Sequence, residues 1–157
     1  MPNGNMPDER STISRWGWVG SIVIAVVLLD QGTKWLMTHH VLTSSRFVTL
    51  APFLDLRLGY NTGVSFGLLG DTLRDAPHVL TVFAASMGLV LSIWATTLPS
   101  AWERVGLSSI AGGAFGNAID RWRQGAVTDF IDLHWAGWHW PTFNMADISI
   151  TTGAALT

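Results

Sequence analysis

Residues 77–99 read PHVLTVFAASMGLVLSIWATTLP. No Asp, Glu, Lys or Arg occurs anywhere from 76 to 102. A helix that crosses a bilayer needs about 20 mostly apolar residues, and 78–98 alone is long enough. Pro77 and Pro99 bracket the run, where proline starts and stops a helix. The stretch therefore reads as a membrane span, and the composition agrees with it. Of 157 residues, 48% are hydrophobic and 13% charged, against roughly 25% charged in a soluble domain. Mean hydropathy is +0.32. Disorder and a charged soluble surface are both excluded.

Nine Lys and Arg stand against eleven Asp and Glu, a net charge of −2. No basic excess exists to neutralise a phosphate backbone, so no nucleic-acid partner is expected. The absence of cysteine removes disulfides, zinc–thiolate sites, iron–sulfur clusters and cysteine nucleophiles. Nine tryptophans suit membrane–water interfaces, where the ring is half apolar and half polar.

Upstream, 1–15 is a polar tail. WGWVGSIVIAVVLL (16–29) begins a second span, which Asp30 and Lys34 interrupt before Trp35-Leu36-Met37. Arg10 and Arg15 ahead of it resemble a secretory leader, but no small-x-small cleavage site follows, so a retained span is expected. Downstream, VGLSSIAGGAFGNAI (105–119) is closed by Asp120-Arg121. Ser109/Gly113 and Gly112/Gly116 are small-xxx-small pairs that let helices approach closely. A packed helix is expected there rather than a glycine loop, with room beside it for a helical substrate. A fourth span starts near Asp147, but ISITTGAALT ends at Thr157, which is too short to cross; a truncated fourth helix is expected.

Between the first and second spans, Phe53-Leu-Asp-Leu-Arg-Leu58 alternates with period two, a half-buried strand, and Asn61-Thr62-Gly63 follows with turn chemistry. Asp129-Phe-Ile-Asp-Leu-His134 is a weaker strand candidate, with Trp135, Trp138 and Trp140 beside it. The Lys/Arg distribution does not by itself orient the chain.

Ionisable groups at membrane depth are functional candidates. Asp30, Asn117, Asp120, Asp129 and Asp147 fall at or near span ends, with Asn61 and Asn144 in adjoining loops. If the spans alternate in direction, Asp30, Asp120, Asp129 and Asp147 gather on one side. Two carboxylates close together in a partly dry site cannot both ionise cheaply, so Asp129 and Asp147 could share a proton. Such a dyad activates water and protonates a leaving amine. The competing reading is structural: Asp147 as a helix cap, Asp120 paired with Arg121. His39, His40, His134 and His139 show no metal-ligand spacing, and no P-loop or GxSxG motif occurs.

Five motifs then stand in order: Asp30-Gln-Gly-Thr-Lys34; Asn61-Thr-Gly-Val-Ser-Phe66; Gly112-Gly113-Ala-Phe-Gly-Asn117-Ala-Ile-Asp120-Arg121; Val127-Thr-Asp129-Phe-Ile131; Phe143-Asn144-Met-Ala-Asp147. Together they closely resemble the lipoprotein signal peptidase (signal peptidase II) family, over roughly residues 16–157. The resemblance implies a mainly α membrane protein: four transmembrane helices, a small extracytoplasmic β-cradle and a helix lying on the membrane. It implies a bacterial inner-membrane aspartic endopeptidase, acting without a cofactor or metal. Its substrates would be prolipoproteins, cut just before a cysteine carrying diacylglycerol. Asp129 and Asp147 match the catalytic pair. Asp30, Lys34, Asn61, Gly113, Asn117, Asp120, Arg121 and Asn144 match the supporting, substrate-contacting set. Membrane lipid and globomycin-type inhibitors would be partners, and a monomer is expected. Two other classes remain. A small proton-coupled carrier would need polar groups at several membrane depths, whereas these cluster at one face. An inactive scaffold would need degenerate motifs, and none of the five has lost its polar residues.

Overall fold

The computed structural model describes residues 9–43, 47–63 and 77–157. The first eight residues of the polar tail, Val64-Ser65-Phe66 of the second motif, and Arg46 and Arg74 lie outside these. In chain order the elements are α1 (Glu9–Leu36), a π-helical turn (Met37–Val41), β1 (Phe47–Ala51), β2 (Leu54–Asn61), α2 (Pro77–Thr97), α3 (Ala101–Gln124), β3 (Val127–Trp135), β4 (Trp138–His139) and α4 (Met145–Ala155).

The fold is mainly helical with a small antiparallel sheet of order β1-β2-β3-β4. Among the described helices two are long and apolar enough to cross a membrane, within Ile13–Val41 and His78–Thr97. Helix α3 has 24 residues but carries Glu103, Arg104, Asp120, Arg121 and Arg123. Helix α4 has 11.

Asp30 and Lys34 do not interrupt α1, contrary to the sequence reading. They are four apart on one helical face, and Lys34 Nζ meets Asp30 Oδ2 at 2.7 Å. A paired charge is compatible with a helix running on.

Helix α3 is the hub, and its small residues explain why. An added methyl on Gly112 would stand 2.6 Å from Val26 of α1, and one on Gly116 2.5 Å from the Asp30 carboxylate. On another face, Gly113 would meet the Ala146 carbonyl of α4 at 2.5 Å, and Gly106 and Gly153 abut each other. The room expected beside α3 for a substrate is thus filled by α1 and α4. The helix is capped at both ends: the Ser100 hydroxyl accepts from Glu103 N–H, and Gly125 takes the left-handed conformation (φ 76°) that ends a helix without Cβ strain.

Strand β2 confirms the alternating 53–58 segment and β3 the 129–134 segment. Asp55 pairs with Asp132 and Gly59 with Asp129, with a bulge between Leu56 and Gly59. Strand β1 was not expected; it forms as the outer partner of β2.

Candidate active site

Helix α2 returns through the short connection 98–100 into α3, so the two run antiparallel. The last two turns of α1 and of α3 and the first turn of α4 then meet at one end of the bundle, where β3 crosses. Asp30 and Lys34 come from α1, Asn117, Asp120 and Arg121 from α3, Asp129 from β3, and Asn144 and Asp147 from α4. Asn61 ends β2 beside them.

Two linked layers result. The lower is an ion cluster. Lys34 Nζ is 2.7 Å from Asp30 Oδ2 and 2.8 Å from Asp120 Oδ2, and Asp30 is fully buried. Gln31 donates to Asp120 Oδ1 at 2.8 Å, and Thr128 N–H donates to Asp120 Oδ2 at 3.0 Å, tying α3 to β3. Asp30 Oδ1 accepts the Ala146 N–H at 3.0 Å, tying α1 to α4. Buried charges persist only when paired and hydrogen-bonded, and each here is both.

The upper layer holds the two remaining carboxylates. Asn144 caps α4 and forms a capping box with Asp147: its Oδ1 accepts from Asp147 N–H, and Asp147 Oδ2 accepts from Asn144 N–H. Asn144 Nδ2 donates to Asp129 Oδ1 at 2.6 Å. Asn117 Nδ2 donates to Asp147 Oδ1 at 3.0 Å, and its Oδ1 accepts from Asn144 Nδ2 and from Lys34 Nζ, both at 3.2 Å. Two amides therefore join Asp129 to Asp147 and both to the ion cluster. Asp147 takes part in a helix cap and also faces the cleft.

Asp129 is 3% exposed. Burial, then the nearby charge of Asp147, pushes its carboxyl up to about 6, while hydrogen bonds from Asn144 and Asn61 and the charge of Lys34 pull it partly back. Above the pair opens a cleft of about 540 Å³, lined by Asn61, Asn117, Arg121, Asp129 and Asp147, with 140–143 forming one wall.

The sequence reading paired Asp120 with Arg121. That pair does not form: adjacent helical residues point about 100° apart. Asp120 faces Lys34 on α1, and Arg121 faces the cleft, its buried Nε without a hydrogen-bond partner among the described residues. Gly113 lies behind the site, as a contact with α4 rather than a wall of the cleft. Sequence reasoning missed Gln31, although it sits inside the first motif between Asp30 and Lys34, and it missed the wall formed by Trp140, Thr142 and Phe143.

Comparisons with known proteins bear on this site. The family model described as signal peptidase (SPase) II matches residues 22–157. A lipoprotein signal peptidase of Coxiella burnetii is 41% identical over 143 residues, covering 90% of this chain and 86% of that one. One of Anaplasma phagocytophilum is 42% identical over 136 residues, covering 86% of each. Among solved structures, a bacterial membrane enzyme determined by the in meso method at 2.3 Å superposes with a TM-score of 0.72 at 29% identity, covering 89% of this chain and 84% of that one.

Proposed function

The chain belongs to the signal peptidase II family, a family of membrane proteases that remove signal peptides from prolipoproteins, and on that premise we propose that Asp129 and Asp147 are its catalytic dyad. The observation that carries this reading is the amide bridge: Asn144 and Asn117 hold the two carboxylates at the floor of one cleft.

The chemistry follows from the asymmetry of the pair. Asp129, pushed up by burial and by Asp147, is the partner that holds the proton. Asp147 acts as the base. A water between them loses a proton to Asp147 as its oxygen adds to the scissile carbonyl carbon, and Asp129 protonates the carbonyl oxygen. Collapse of the diol breaks the C–N bond: the proton taken by Asp147 goes to the leaving amine, and one hydroxyl returns its proton to Asp129 as the carbonyl re-forms. Arg121 supplies a fixed positive charge at the cleft for the developing oxyanion. Asp30, Lys34 and Asp120 fix the helix ends that carry Asn117 and Asn144, and Asn61 steadies Asp129 from β2. Gly113 lets α4 approach α3 closely enough to present Asp147.

The substrate class in this reading is a prolipoprotein whose cysteine carries diacylglycerol, cut just before that cysteine. The lipid would lie in the bilayer and hold the scissile bond at the interface, so anchoring supplies proximity. All four helices are membrane-embedded, the sheet and cleft face the extracytoplasmic side of a bacterial inner membrane, the working unit is a monomer, and globomycin-type cyclic peptides block the cleft. A carrier is disfavoured by the confinement of the ionisable cluster to one end of the bundle.

The test is incubation of the purified chain with a diacylglyceryl-modified prolipoprotein peptide and with the same peptide unmodified, read by mass spectrometry. Cleavage immediately before the modified cysteine, and far slower cleavage of the unmodified peptide, is expected. Equal cleavage of both peptides, or a cut elsewhere, refutes the substrate assignment.

A further inference from the structure

On the sheet face opposite Asp129 lies a second buried carboxylate. Asp132, three residues along β3, has its side chain 3% exposed, and His139 of β4 places Nδ1 2.9 and 3.0 Å from its two oxygens. Arg57 of β2 stands 3.8 Å away. Asp55 of β2 is the cross-strand neighbour of Asp132, and His134 lies 3.4 Å from Asp55 and stacks on His139 with centroids 5.1 Å apart. Like charges opposite one another on adjacent strands destabilise a sheet. At that juxtaposition Asp132 is held by the His139 ring nitrogen and faced by Arg57.

Strand β4 has only two residues, paired with His134 and Trp135 of β3. From His139 the chain runs directly into the cleft wall. Trp140 N–H bonds Leu133 O at 2.8 Å, and Phe143 pairs with Ile131 through bonds of 3.1 and 2.9 Å. Between them Pro141 has no N–H to donate, and Thr142 passes so close over β2 that a methyl on Gly59 would stand 3.0 Å from its hydroxyl. The wall is thus held by Phe143 at one end and, at the other, by the Trp140–Leu133 backbone bond together with the His139–Asp132 side-chain contact.

We propose that His139 and Asp132 are positioning residues for substrate binding: their hydrogen bond sets the place of the 140–143 wall over the catalytic cleft. The proposal rests on the reading of Asp129 and Asp147 as the working pair. The clasp touches neither carboxylate, so it governs substrate affinity and not the chemical step.

The experiment is steady-state kinetics on a diacylglyceryl-modified peptide for the wild-type chain, His139→Ala, His139→Asn, Asp132→Asn and, as a control, Asp129→Asn. His139→Ala should raise KM about ten- to a hundredfold, the worth of one hydrogen bond to a charged carboxylate, with kcat within about twofold. His139→Asn, whose amide nitrogen stands near the place of Nδ1, should return KM most of the way; rescue by a donor is something a merely structural role would not show. Asp132→Asn keeps an acceptor and should raise KM by a smaller factor. Unchanged KM in Asp132→Asn and His139→Ala overturns the proposal, and so does a fall in kcat that matches any rise in KM. If His139→Ala does not fold, the Asp132→Asn and His139→Asn results decide alone. Activity retained in Asp129→Asn instead sinks the dyad reading, whatever the clasp variants do.

Discussion

Replacing Asp129 by Asn should abolish activity and stabilise the protein, and the size of the gain follows from the site. A carboxyl with an ordinary value of 3.8 stands at about 6 here, because it is buried beside Asp147. Between those values the folded state binds more protons than the unfolded chain, so wild-type stability falls as pH rises through that window and is flat above it. The difference of about 2.2 units corresponds to about 3 kcal/mol at 1.36 kcal/mol per unit. Asn cannot ionise, and it still offers an oxygen to Asn144 Nδ2. The variant and wild type should therefore differ by only about 0.6 kcal/mol at pH 4, diverge through pH 4–6, and differ by about 3 kcal/mol at pH 8. The assay is equilibrium unfolding in mixed micelles, by SDS titration, repeated from pH 4 to 8. A difference that is the same at pH 4 and pH 8, or a variant less stable than wild type at pH 8, refutes the claim that Asp129 is held in a site hostile to its charge.

Two other outcomes follow from the packing. Gly116→Ala puts a methyl 2.5 Å from the Asp30 carboxylate; it should cost about 1–3 kcal/mol as overpacking and lower activity by displacing the Asp30–Lys34 pair, both readable by thermal melting and peptide cleavage. A melting point unchanged within about 1 °C would contradict the close α1–α3 contact. Lys34→Met leaves Asp30 and Asp120 without their shared cation, and it should destabilise by about 3–5 kcal/mol, whereas Lys34→Met combined with Asp30→Asn and Asp120→Asn should recover much of that loss. No recovery in the triple variant would mean that Lys34 acts through something other than these two carboxylates.

The parts of the fold legible in the sequence were those set by local pattern. The uncharged 77–99 run gave α2, the period-two segment 53–58 gave β2, and polar residues stranded at the ends of apolar runs marked the cluster at one end of the bundle. What escaped was fixed by distant partners. Asp30 and Lys34 looked like a break because their neutralisation depends on Asp120 of α3. Arg121 looked like the mate of Asp120 because the two are adjacent in sequence, and helical geometry turns them apart. Strand β1 has little signal of its own and exists as an edge on β2. The small residues of α3 announced close packing, but only the folded chain shows that α1 and α4 are what they admit. His139 and Asp132 are neighbours only once the turn at Ala136-Gly137 folds β4 back on β3.

The central claim is that Asp129 and Asp147 work as one unit on one water. The most direct measurement is single-turnover cleavage of a diacylglyceryl-modified peptide by wild type, Asp129→Asn, Asp147→Asn and the double variant, each shown to be folded. If the two carboxylates share the step, either single substitution should slow it by about a thousandfold or more, and the double variant should be scarcely slower than the singles, since residues acting as a unit are not additive. A single variant that turns over at a rate near wild type, or losses in the singles that multiply in the double, would contradict the account.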